Sequence, residues 1–269
     1  MDFVKFDGCD QPEGFTAEQL TCNMSNALLN TGTDFWFNFH CWHTDTCAKC
    51  GTSYRVFDDH HDEWKSTSSV IKFMQKREPF WGPDPEGGWP DMDFVYTGGQ
   101  GCNHTDPGPI WPGPGPSPPG VRCPGQTIDE YVSEFSIWAL AGGQIVISSD
   151  PRNMTAFQKH IWFNKEVIAV FKDVPSFKDV AMIGDGGAKA QVWIRPTSDG
   201  GCAVVLHNPN EASAKITVTF GDIPKRSAWK GKMLNVRDLW AGMDLPAASG
   251  SYSATVPKHG SVMIKLTAA

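Results

Sequence analysis

Strand-length apolar runs and helix-length apolar stripes alternate along the first two-thirds of the chain. Phe3, Val4 and Phe6 make a short strand that ends near Asp7. Thr16 and Gln19 have the spacing of a helix-opening capping box, and Leu20, Met24, Ala27 and Leu28 fall on one helical face behind it. Strands are predicted over 34–39 and 53–57, then a helix over 64–76 with Val70, Ile71, Phe73 and Met74 as its stripe. A fourth strand over 92–96 precedes a Pro- and Gly-rich stretch, 98–125. Thr127 and Glu130 form a second capping-box pattern, opening a helix that carries Tyr131, Phe135 and Trp138. A fifth strand over 144–149 is followed by a helix that Thr155 opens.

Strand–helix alternation implies a parallel sheet. Five β/α units fit before residue 177, whereas an eight-unit barrel needs ~250 residues. The expectation is therefore an open, curved five-stranded sheet with unpaired edge strands. Beyond Phe177 the texture changes to short alternating strands at 191–195, 203–207, 215–220, 234–239 and 261–266, separated by turn residues. That pattern predicts an antiparallel β-sandwich. The fold class expected is α/β plus all-β, divided into domains 1–177 and 178–269.

Composition narrows the function classes. With 40% hydrophobic and 20% charged residues, the 269-residue chain can bury a core and does not read as disordered. A net charge of -7 without a basic stripe argues against nucleic-acid binding. No apolar run approaches the ~20 residues of a membrane span. Eight cysteines together with sequons at Asn23, Asn103 and Asn153 point to an oxidising, secretory route. Trp193, Trp229 and Trp240 could form a carbohydrate-binding surface, although core packing is the commoner fate of strand tryptophans.

The candidate chemistry starts at the first strand. Residues two apart on a strand share a face, so Lys5 and Asp7 point the same way, and the ammonium favours an ionised carboxylate. The same parity aligns Arg55, Phe57 and Asp59, which could face the cavity that Asp7 faces. Two carboxylates, one held ionised and one able to hold a proton, are the minimum equipment for glycoside hydrolysis. The run Asp58, Asp59, Asp62, Glu63 also reads as a solvated acidic turn. His40, Cys41, His43, Cys47 and Cys50 admit a zinc reading, but their spacing matches no standard finger and disulfides compete with it. Cys102 and Cys123 bracket the Pro-rich stretch and would close it as a loop.

Several segments carry a family resemblance in the same order. They are Lys5-Phe-Asp-Gly-Cys9, Arg55-x-x-x-Asp59 with Trp64-Lys-Ser66, Gly87-Gly-Trp-Pro-Asp-Met92, Ser136-Ile-Trp-Ala-Leu140 and Ile147-Ser-Ser-Asp-Pro-Arg-Asn153. Val192-Trp-Ile-Arg-Pro196 and Val236-Arg-Asp-Leu-Trp240 extend the set into the second domain. Together they resemble the retaining α-galactosidases of glycoside hydrolase family 27, melibiase-type. The resemblance implies a partial (β/α)8 TIM barrel, about strands 4–8, followed by an antiparallel β-sandwich, with strands one to three expected before Met1. It implies Asp7 as nucleophile and Asp59 as acid/base, with Lys5, Arg55, Asp91, Met92 and Trp42 on the substrate. It also implies a disulfide from Cys41 to Cys50 or Cys47. The expected substrate is a galactoside; no cofactor and no metal are expected. The expected location is secreted or lysosomal/vacuolar, and a homodimer is among the assemblies allowed. Residues 40–43 read His-Cys-Trp-His where the family has Cys-Glu-Trp or Cys-Asn-Trp. That difference keeps an α-N-acetylgalactosaminidase, a β-L-arabinopyranosidase and a catalytically silent sugar-binding fragment open as alternatives.

Overall fold

The computed structural model describes residues 2–8, 11–40, 48–76, 88–96, 125–141, 143–148, 151–173, 180–184 and 190–269. Strands β1 (Phe3–Phe6), β2 (Trp36–Phe39), β3 (Ser53–Arg55) and β4 (Trp89–Asp91) form one parallel sheet in the order β1-β2-β3-β4. Helix α1 (Ala17–Leu29) connects β1 to β2, and α2 (Trp64–Lys76) follows β3. The capping box expected at α1 is present: the Gln19 N–H donates to Thr16 Oγ1 at 3.1 Å, and the Thr16 N–H donates to Gln19 Oε1 at 2.9 Å. The second box opens α3 (Ile128–Ala141) with the reciprocal bonds between Thr127 and Glu130 at 2.7 and 3.3 Å. The helix that Thr155 opens is split in two, α4 (Ala156–Trp162) and α5 (Lys165–Phe171), because Asn164 caps a new helix with its own side chain.

The fourth and fifth strands depart from the predicted positions. β4 lies three residues earlier than 92–96, and the fifth strand shrinks to one parallel bridge between Val95 and Ile147. Two hydrogen bonds make that bridge, from the Val95 N–H to Val146 O and from the Ser148 N–H to Val95 O. The physical cause is Asp93, whose φ of 73° lies in the left-handed region and ends the extended run after Asp91. The neighbouring chain is pressed against β4 at Gly143, where a Cβ would sit 2.0 Å from Pro90 O. Among the described residues the parallel sheet thus has four strands and a bridge, not five full strands.

The C-terminal part is built as predicted from antiparallel strands. β5 (Ala181–Met182), β6 (Gln191–Pro196), β7 (Cys202–His207), β9 (Met233–Asp238), β10 (Met243–Ser249) and β12 (Ser261–Ala268) make one sheet in the order β10-β9-β12-β7-β6-β5. β8 (Ala214–Thr219) and β11 (Ser251–Val256) make the second. β6 and β7 are buried along their whole length, so alternation there divides two cores instead of core from solvent. Val192, Ile194, Val204, Leu206, Ile264 and Leu266 face β8 and β11. Trp193, Ala203, Val205 and Met263 face the other way and join the core of α3, α5 and the parallel sheet. Trp193 is fully buried, and Trp229 and Trp240 each pack against a core, so these tryptophans hold structure together.

Candidate functional site

The ends of β1, β3 and β4 open onto one cavity of about 540 Å³, the size of a site for a small ligand. Phe3, Lys5 and Asp7 line it from β1 and its exit, as parity requires. Arg55, Asp59, His60 and His61 line it from β3 and the turn behind it, and Asp91, Asp93, Phe94 and Tyr96 from β4 and its exit. Gln144 and Val146 close one side. Gln144 is held there because its Oε1 accepts from Ser53 Oγ at 2.9 Å and Trp36 Nε1 at 3.1 Å.

Asp7 is half exposed, and its Oδ1 accepts from the Gly8 N–H at 2.7 Å and lies 3.5 Å from His40 Nδ1. Partial burial works to raise this carboxyl, but the Gly8 N–H, His40 and Lys5 outweigh it and hold Asp7 below its ordinary range. Burial, with the charge of Arg55, pushes His40 down. Arg55 is buried at the C-terminal end of β3, in register with Asp91. Its Nη2 donates to Asp59 Oδ1 at 3.1 Å and to Asp93 Oδ2 at 2.7 Å. Arg55 Nε, also buried, has no hydrogen-bond partner among the described residues. Asp91 is buried and accepts from Asn38 Nδ2 at 2.9 Å and from the Asp93 N–H at 2.8 Å. Its desolvation raises the carboxyl against the pull of Arg55 and Lys5.

His60 is enclosed under the cavity floor. Its Nδ1 lies 2.8 Å from Phe94 O and its Nε2 2.8 Å from Thr67 Oγ1, while its ring packs against Trp138 and Tyr96. Burial lowers it to about 4 despite the Phe94 carbonyl and Asp93, so the ring is neutral at ordinary pH. Burial also pushes Tyr96 up to about 12.

The structure thus brings five of the expected site residues, Lys5, Asp7, Arg55, Asp59 and Asp91, to one cavity. Met92 is corrected: it is 2% exposed and packs in the core beneath, not on the cavity wall. Successive residues of an extended chain point to opposite sides, so with Asp91 on the cavity Met92 must face away. Trp42, His43, Cys41 and Cys47 lie outside the described residues, as do Cys9, Cys102 and Cys123. Cys50 is bonded to Cys22, not to Cys41. α1 packs against the turn that carries Cys50, which brings the two Cα atoms to 4.9 Å and removes Cys50 from any zinc set. Asp93, His60, His61, Tyr96 and Gln144 were not anticipated. Asp93 alone left a signal, as a carboxylate inside the apolar run Met92-Asp93-Phe94-Val95.

Comparison with known proteins extends the motif resemblance to the whole chain. Residues 187–266 match the model of the α-galactosidase C-terminal β-sandwich domain. α-Galactosidase 2 of Arabidopsis thaliana is 30% identical over 99% of this chain, and the match covers 60% of that protein. The α-galactosidase of Coffea arabica is 32% identical over 99% of this chain and 63% of its own length. The chain therefore spans about 60% of the length of the curated relatives it matches. Among solved structures, α-galactosidase I of Mortierella vinacea superposes on the full chain with a TM-score of 0.77 at 22% identity, over 68% of that structure. A family-27 β-L-arabinopyranosidase of Geobacillus stearothermophilus does so with a TM-score of 0.79 at 18% identity, over 58% of that structure. These likenesses support a TIM barrel with a C-terminal β-sandwich as the parent fold.

Proposed function

We propose that this chain, which resembles the family-27 α-galactosidases from end to end, carries the two catalytic carboxylates of a retaining glycoside hydrolase. Its substrate class is a terminal α-galactoside. The observation that carries the reading is the pairing of an ionised Asp7, held below its ordinary range, with Asp59 across the same cavity. In the first step Asp7 attacks the anomeric carbon and forms a glycosyl ester, while Asp59 gives its proton to the departing glycosidic oxygen. In the second, Asp59 takes a proton from water, whose oxygen displaces the Asp7 ester and restores both carboxyl groups. Lys5, Arg55 and Asp91 supply cationic and anionic hydrogen-bonding groups for the sugar hydroxyls. We assign the chemistry to residues 1–177 and a bracing role to 178–269. The Cys22–Cys50 disulfide and the sequons favour a secreted or vacuolar location.

One observation favours a second reading, a related exo-glycosidase such as a β-L-arabinopyranosidase. Residues 40–43 read His-Cys-Trp-His, without the Glu or Asn carried there by the family that the chain resembles. Hydrolysis of p-nitrophenyl α-galactoside and β-L-arabinopyranoside by the chain, with the product anomer followed by NMR, tests both. The expected result is turnover with retained configuration, abolished in Asp7→Asn and lowered by about 10²–10⁴-fold in Asp59→Asn. A folded chain that binds galactose without turning over either glycoside would replace the enzyme reading with a sugar-binding one.

A further inference from the structure

Arg55 is 4% exposed and offers Nη2 to two carboxylates that differ in every relevant respect. Asp59 lies at 3.1 Å and is 55% exposed; Asp93 lies at 2.7 Å and is 7% exposed. Water screens the first contact and competes for it, whereas the second is short and shielded. Asp93 is itself fixed on three sides. The same Oδ2 accepts the His60 N–H at 2.8 Å, the Asp93 N–H donates to Asp91 Oδ1 at 2.8 Å, and Asp93 O accepts from Trp138 Nε1 at 3.0 Å. These bonds hold a non-glycine residue at φ 73°, a conformation that a short polar side chain tolerates best. The unusual backbone is what turns the carboxylate back toward β3.

We propose that Asp93 is a positioning residue of this site: it anchors the Arg55 guanidinium, and Arg55, so anchored, orients Asp59. Asp93 ties the exit of β4 to the exit of β3, so that Asp91, Arg55 and Asp59 keep one mutual geometry when the cavity is empty. Preorganisation of this kind matters because the reacting groups need no reorganisation at the moment of reaction. The kinetic consequence rests on the glycosidase reading; the anchoring itself does not.

The test uses the full chain and the variant Asp93→Asn, which keeps the shape and the tolerance of positive φ but removes the charge. In wild-type protein, a guanidinium held in a buried pair rotates slowly and gives resolved 15N–1H signals for Arg55 Nη. Those signals are expected to persist in Asp59→Asn and to collapse in Asp93→Asn. Persistence in Asp93→Asn, or collapse in Asp59→Asn alone, overturns the proposal. Far-UV circular dichroism checks that Asp93→Asn folds. Should it not fold, the Arg55 signals in wild type and Asp59→Asn still decide whether the exposed carboxylate is the anchor. Where the chain hydrolyses a galactoside, Asp93→Asn should lower kcat about 10²-fold with little change in KM, the cost of a misplaced catalytic group. An unchanged kcat overturns the orienting role, whereas a chain with no turnover at all refutes only the glycosidase reading and leaves the NMR outcome to judge the anchor.

Discussion

His207 and His60 are enclosed completely, and each is pushed down to about 4, chiefly by burial. His207 Nδ1 lies 3.0 Å from Ser261 Oγ, and the nearby His259 disfavours a second charge. The unfolded chain binds a proton at each of these residues near pH 6.5, and the native protein refuses it until about pH 4. Their contribution to stability is therefore complete above pH 6.5 and is lost as the pH falls toward 4. Urea unfolding should show each histidine removing about 1–2 kcal/mol between pH 6.5 and 5. In His207→Gln that share of the slope should vanish; an identical pH dependence in variant and wild type would contradict the assignment. At this scale the sequence was most legible where chemistry depends on parity. Lys5 and Asp7 reach one cavity because strand alternation is local, whereas Asp59 reaches it from the turn behind β3, which ends at Arg55. Asp93 left a signal as a carboxylate in an apolar run, but its role was not legible, because that role depends on a positive φ held by contacts with His60, Asp91 and Trp138.

Among the elements, α3 is the axle of the molecule, buried from Glu130 to Ala141 apart from half-buried Val132. Its C-terminal carbonyls need donors, and the sandwich supplies one. Arg195 on β6, fully buried, donates from Nη1 to Ala139 O at 3.2 Å and Leu140 O at 3.4 Å. From Nη2 it reaches Phe171 O at 3.4 Å at the end of α5, and Asp173 O beyond it. One guanidinium thus serves two helix C-termini, where both hydrogen bonding and the helix dipole favour a cation. Burial lowers Arg195 to about 10, so it stays charged at neutral pH. Arg195→Met should reduce the unfolding free energy by about 1–3 kcal/mol or more, through carbonyls left unpaired. Arg195→Lys should recover part of it, and equal losses in the two variants would argue that packing, not donation, is what Arg195 provides. Capping boxes marked the starts of α1 and α3 in the sequence because they are made of neighbours. The helix-to-sandwich cap joins Arg195 to residues from 22 to 56 positions away and left no such mark.

On the scale of the whole molecule, two sheets share one continuous core across α3, with Trp193, Val205 and Met263 entering it from the sandwich. A second clamp joins the same two parts. His259 stacks on Trp64 with centroids 4.4 Å apart, and its ring nitrogens lie 2.6 Å from Glu130 and 3.0 Å from Glu211. Among the described residues β1 pairs only with β2, and Phe3 on it is 42% exposed. Edge strands of this kind recruit further strands. Sedimentation velocity should reveal association that rises with protein concentration and is suppressed in Phe3→Lys; a strictly monomeric wild type would remove the edge as a liability. By itself the sequence determined the strand–helix alternation, the antiparallel C-terminal sandwich and the family resemblance. These rest on periodicity and on motifs of adjacent residues. Only the tertiary structure decided that Cys50 bonds Cys22, that the fifth strand is a single bridge among the described residues, and that Asp93 grips Arg55. Each of those depends on which distant segments come to lie side by side, and local pattern carries no record of that.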